Sequence, residues 1–263
     1  MKGVRSWRSG AKNVMENFPV VEAGKEKGND MILQPIHGQL TPNNTTIILM
    51  DYQSQFALTI SSTDGNTLIH NAVNLAKIAK TFNIPIVLTT IAETSFGGPL
   101  FTKLQEILPD QKPIERTTLS VFEDTEVLSS LERIGRNKLV IAGLWTDFGV
   151  AASIRQARKL GYEVFMVVDA CGDVSLRAHH IAIQDLLQGG AVPMTWLQMF
   201  LALHRDWAPP EAYEVLLNIV KDHASAYGLE IQYSRTDFDE GRLTLLDGKS
   251  KERWWRKCSM VPV

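Results

Sequence analysis

Cysteine is scarce in this chain: only Cys171 and Cys258 occur among 263 residues. They lie far apart and in no metal-ligand spacing. That excludes a disulfide framework and a thiolate zinc site, and it points to a reducing compartment, by default the cytoplasm. Long hydrophobic runs are missing too. Nothing approaches the roughly 20 apolar residues that span a bilayer, so no membrane partner is expected. The start, Met1-Lys-Gly-Val-Arg-Ser-Trp-Arg8, lacks the apolar centre of a secretory signal. Nor is there an excess of one charge. Lys and Arg number 27 against 29 Asp and Glu, a net −2, which gives no reason to expect nucleic acid as a partner. No Gly-x-Gly-x-x-Gly follows the first strand, and no Gly-Lys-Ser/Thr phosphate loop exists. Dinucleotide and nucleoside-triphosphate folds are therefore disfavoured.

What remains is an ordinary globular composition, 44% hydrophobic and 21% charged, long enough for one large domain with extensions. Residues 1–43 read as an irregular arm, rich in Lys, Glu, Gly and Asn. From there apolar runs alternate with helical spacing. Strands are expected at residues 45–50, 85–90, 138–144, 164–168 and 192–195, with a short extended piece at 113–116. Helices are expected at 68–82, 101–108, 125–134, 150–160, 178–187 and 196–205, and another at 211–227. Strands apolar on both faces and separated by helices imply a parallel sheet covered on both sides, a doubly wound α/β/α architecture. This places the domain at residues 44–207 and a C-terminal helix with a charged tail at 208–263. The tail carries Trp254 and Trp255 within a basic run. It reads as an exposed or subunit-packed segment, or as an anion- or membrane-surface contact.

In a doubly wound sheet, ligands bind beyond the carboxyl ends of the strands. Asp51, Arg116 and the turn at residues 146–149 all fall at that edge. Taken singly, Asp51 reads as a helix cap and Arg116 as a solvated cation. Together, with Ser120 and Phe122 at fixed spacing after Arg116, they describe a site holding an acid, a cation and a turn rich in backbone N–H groups. Such a site invites a nucleophile at the turn, yet the residue there is Gly149.

Five segments carry a resemblance to a known family. They are Ile47-Ile-Leu-Met-Asp-Tyr-Gln53, Ile114-Glu-Arg-Thr-Thr-Leu-Ser-Val-Phe122, Val140-Ile-Ala-Gly-Leu-Trp-Thr-Asp-Phe-Gly-Val150, Gly161-Tyr-Glu-Val-Phe-Met-Val-Val-Asp-Ala170 and Gly190-Ala-Val-Pro-Met-Thr-Trp196. In this order the chain resembles the isochorismatase-like hydrolase superfamily over roughly residues 43–207. His204-Arg-Asp-Trp207 closes the match in the manner of a bacterial hydrolase subgroup with no settled substrate.

The resemblance implies a six-stranded parallel sheet and, in the family's amidases, an Asp–Lys/Arg–Cys triad. Asp51 matches the acid, Arg116 the cation and Gly149 the cysteine position. Glycine forms no thioester, so amidase chemistry is not expected. True isochorismatases share a glycine at the turn and hydrolyse a vinyl ether by protonating it. That implies Asp51 as general acid and Arg116 as the anchor of a substrate carboxylate. The backbone amides of residues 146–149, Thr146 among them, would form a polar floor. Gln53 and Ser120 join the expected substrate-binding set, with Phe56, Phe122, Trp145 and Phe148 as an apolar wall.

The family's nicotinamidases bind zinc through a His-containing loop after the second strand, but residues 91–98 hold no histidine. No metal and no cofactor are expected. His179 and His180 read as helix-end or core residues. Members commonly form homo-oligomers. Two functions stay open: a Cys-independent hydrolase of a small carboxylate-bearing molecule, or an inactive relative that binds a small ligand or serves in assembly.

Overall fold

The apolar runs become strands of one parallel sheet in the computed structural model, which describes residues 38–205 and Ile219. The strands are β1 (Thr45–Met50), β2 (Ile86–Ile91), β3 (Ile114–Arg116), β4 (Lys138–Gly143), β5 (Glu163–Val167) and β6 (Val192–Met194). Their order is β3-β2-β1-β4-β5-β6, all parallel. β1 and β4 are buried along their whole length, as central strands covered on both faces must be.

The helices are α1 (Ser54–Ala57), α2 (Gly65–Thr81), α3 (Thr102–Ile107), α4 (Thr125–Ile134), α5 (Ala151–Lys159), α6 (Leu176–Gln188) and α7 (Trp196–Leu203). α2 packs on α3 and α7. On the opposite face α5 packs on α6, and α4 and α5 meet through a 3₁₀ turn at Val121–Glu123. This division follows from right-handed crossovers that run outward from β1 to β3 and then return past β1 to β4. The reversal opens a crevice between the carboxyl ends of β1 and β4.

Side chains fix the helix starts. Asp64, Asp124 and Ser175 each accept an N–H bond from the first turn of α2, α4 and α6, and Thr195 with Gln198 forms a reciprocal capping box on α7. These caps explain why α2 and α6 begin earlier than their apolar periodicity suggests. β2 begins one residue later than expected because Pro85 has no N–H to give the ladder; its carbonyl still accepts from Ile47.

The end of the expected arm belongs structurally to the domain. Leu40 is buried, and the carbonyl of Pro42 accepts a bond from Arg136. The expected helix at 211–227, apart from Ile219, the basic tail and the arm before residue 38 lie outside the described residues. Among the described residues no helix is long and apolar enough to cross a membrane.

Candidate active site

Three neighbouring strands end in the same unusual way. Asp51 after β1, Ala92 after β2 and Trp145 after β4 all adopt left-handed backbone angles, with φ of 56°, 46° and 57°. Asp tolerates this conformation, whereas a bulky Trp does so only where its surroundings hold it. After Ala92 and Trp145 the chain enters wide π-helical turns, Glu93–Gly97 and Thr146–Val150. The two turns and the end of β1 surround a cavity of about 140 Å³, lined by Asp51, Phe56, Ile91, Phe96, Leu119, Leu144, Trp145, Phe148 and Gly149.

Among the described residues, Asp51 is the one ionisable side chain in that lining. It is buried. Thr89 donates to its Oδ1 at 3.2 Å, and an Arg116 guanidinium N–H donates to its Oδ2. Burial pushes its carboxyl up to about 6, against the pull of Arg116 and Thr89. The acid is therefore poised to exist in both protonation states near neutrality. Gly149 stands across from it. A Cβ built on Gly149 would lie 3.6 Å from Asp51 Oδ2 and 3.4 Å from the Leu119 carbonyl. The position has room for a side chain and presents none.

Arg116 departs from the sequence expectation. It ends β3 with its side chain fully buried and is absent from the cavity lining. One N–H₂ group faces Asp51 and the other donates to the Thr118 carbonyl at 2.5 Å, while Nε has no partner. A guanidinium held behind the acid cannot grip a carboxylate in the cavity.

The polar floor is also replaced. The N–H of Thr146 donates to Gly172, that of Asp147 to Asp173 Oδ2, and that of Phe148 to the Trp145 carbonyl. Three of the four turn amides are thus spent inside the protein. This satisfies donors that a buried turn would otherwise leave unpaired.

The remaining expected residues divide between the cavity and its supports. Phe56, Trp145 and Phe148 line the cavity. Gln53 is buried behind it: Oε1 accepts from Ile91 N–H at 2.8 Å, and Nε2 donates to the carbonyls of Ile91 and Gly98 at 3.1 and 2.7 Å. Its amide packs so close to Gly97 that a Cβ there would come within 2.3 Å of Nε2, so it clamps the Glu93–Gly97 turn. Thr146 Oγ1 lies within hydrogen-bond distance of the Gly172 carbonyl and His179 Nδ1, bracing the other turn. Burial lowers the His179 pKa, which suits a neutral supporting role. Ser120 caps the Val121–Glu123 turn by accepting from Phe122 N–H. Phe122 packs toward Tyr162, and neither residue reaches the cavity.

Sequence reasoning missed Ile91, Phe96, Leu119 and Leu144. Phe96 lies in a segment read only for metal ligands. Leu119 sits inside the Arg116–Ser120 motif, where only the polar spacing drew notice. Cys171 offers no substitute nucleophile, since burial pushes its thiol up to about 12. Among the described residues no three His, Cys, Asp or Glu side chains come together as metal ligands.

Known proteins share this arrangement of elements. A family model described as the Isochorismatase domain matches residues 45–198. The probable hydrolase YcaC of Escherichia coli is 31% identical over 190 residues, 72% of this chain and 90% of the relative. The crystal structure of the Escherichia coli YcaC product, an octameric hydrolase of unknown specificity, aligns with a TM-score of 0.71 at 30% identity. The alignment covers 75% of this chain and 97% of that one. YcaC from Pseudomonas aeruginosa, solved with hexane-2,5-diol and covalent acrylamide, gives 0.70 at 30% identity, covering 74% and 96%.

Proposed function

Because the chain belongs to the isochorismatase family, we propose that it is a hydrolase working without a cysteine nucleophile, with Asp51 as proton donor to a vinyl ether. The observation that carries this reading is the single raised acid facing a cavity beside Gly149. Protonated Asp51 gives its proton to the terminal vinyl carbon, and the ether oxygen stabilises the resulting oxocarbenium ion. Water adds to the carbon that bears the ether oxygen and returns a proton to the Asp51 carboxylate. The hemiketal or hemiacetal then collapses to a carbonyl compound and an alcohol. Arg116 acts on Asp51 rather than on the substrate: it holds the carboxylate in place and stabilises its ionised form after proton transfer. The octameric Escherichia coli relative supports a homo-oligomer for this chain.

The test is release of pyruvate from isochorismate, and of acetaldehyde from ethyl vinyl ether, by the full chain near pH 5.5. Turnover of uncharged ethyl vinyl ether by the native protein and its loss in Asp51→Asn are expected, whereas isochorismate, a dianion that the buried Arg116 does not receive, is expected to react more slowly. No turnover of either ether would overturn the reading.

One observation favours an inactive, ligand-binding relative. Trp145 contacts Phe56, Phe96 and Phe148 with ring centroids 4.9–5.8 Å apart, so aromatic side chains close much of the cavity. If this second reading holds, neither ether is hydrolysed, yet a small ligand raises the unfolding temperature.

A further inference from the structure

We propose that the cavity beside Asp51 selects an uncharged, apolar group and excludes anions, with Asp51 itself as the residue that sets this preference. The inference rests on the Asp51 site proposed above, but it concerns binding and stands apart from the chemistry. The walls are Phe56, Phe96, Leu119, Trp145 and Phe148. Among the described residues, Asp51 contributes the only charge in the lining, and it is negative when ionised.

Among the described residues, Arg116, three of the four turn amides and the Trp145 indole are engaged elsewhere or screened. Arg116 is fully buried and reaches the cavity only through Asp51. Three turn amides face Gly172, Asp173 and Trp145. The Trp145 indole N–H donates to Thr59 Oγ1 at 2.8 Å. An anion entering here would shed its hydration, find no donor among these groups and meet the Asp51 oxygen before the guanidinium. An uncharged ring meets none of these penalties, and a dry cavity of about 150 Å³ is enough to admit benzene.

Benzamide and benzoate differ little in shape and by one charge, so calorimetric titration of the full chain with each tests the preference directly. At pH 7.5 benzamide is expected to bind at least about tenfold more tightly. The groups facing Asp51 are Arg116 and Thr89, so Asp51 is the group that titrates between pH 7.5 and 5, and the ratio should narrow at pH 5. Asp51→Asn should tighten benzoate at least about tenfold, because it removes the carboxylate and leaves the Arg116 charge unopposed, while benzamide changes little.

Equal or tighter binding of benzoate by the native chain would overturn the proposal. So would no binding of benzamide, or benzoate affinity indifferent to Asp51→Asn. If Asp51→Asn does not fold, the two pH arms on the native chain decide the matter. A benzamide preference without hydrolysis of any vinyl ether would refute the proposed reaction and leave this inference standing. Hydrolysis with benzoate preferred would do the reverse.

Discussion

The ends of β1 and β5 each carry an aspartate, Asp51 buried and Asp169 half-buried, and desolvation pushes both up to about 6. Their surroundings differ. Asp169 Oδ1 accepts the Trp196 N–H at 3.0 Å, so it serves the amino end of α7, where a negative charge is favoured. Asp51 has no helix to serve. Its carboxylate lies between a buried guanidinium and an apolar cavity. Similar shifts therefore accompany a structural acid and a candidate catalytic one. A raised pKa reports burial, and only the open space beside Gly149 distinguishes the acid that can meet a substrate.

The widest separation between the two acids should appear in turnover. Asp51→Asn is expected to lower vinyl-ether hydrolysis by about 10² to 10⁴, the usual share of a general acid. Asp169→Asn should stay within about threefold of the native rate. Equal losses in product release would erase the distinction drawn here.

Next comes Arg116→Leu. Removing one member of a buried pair costs about 3–5 kcal/mol, measurable by urea unfolding. Because Arg116 lowers the Asp51 pKa, its loss should also move the descending, high-pH limb of the rate profile to higher pH. Asp169 is not paired with Arg116 and should titrate as before.

A smaller effect, in stability, should be shared by the two acids. Each binds protons more tightly in the folded chain than in the unfolded one. Between pH 3.8 and about 6 the folded state holds the extra proton, so stability falls as pH rises through that window. The loss is up to about 3 kcal/mol per acid. Asp51→Asn and Asp169→Asn should each flatten part of the slope in unfolding measurements at fixed pH, and the double variant should flatten most of it.

The smallest effect belongs to Gly149→Ala. Its Cβ would make ordinary contacts at 3.4 Å or more, so a cost below about 1 kcal/mol is expected in thermal unfolding. A larger cost would mean that the glycine is required by packing.

The same comparison explains what could be read in the sequence. The sheet was legible because runs such as Thr45–Met50 and Lys138–Gly143 have the continuous apolar pattern of central strands. Asp51 was legible because Arg116 and the turn at residues 146–149 fall at the same sheet edge; taken singly it reads as a helix cap.

Arg116 was legible as a participant but not in its direction. A lone arginine after a short edge strand reads as solvated, and only three-dimensional packing turns it inward against Asp51. Ser120 and Phe122 were placed in the site by their spacing from Arg116. The intervening 3₁₀ turn aims Phe122 at Tyr162 instead. Phe96 escaped notice because a π-helical turn after a left-handed alanine has no compositional signature. Gln53 was expected to touch substrate. Three backbone groups occupy its amide instead, a demand that sequence does not display.

The most direct measurement is the pH dependence of kcat/KM for ethyl vinyl ether from pH 4.5 to 8, with Asp169→Asn as the control. If Asp51 is the proton donor, the rate falls tenfold per pH unit above about 6, and the control keeps that profile. A rate that climbs through pH 6, or a native profile retained by Asp51→Asn, would contradict a proton-donating role for Asp51.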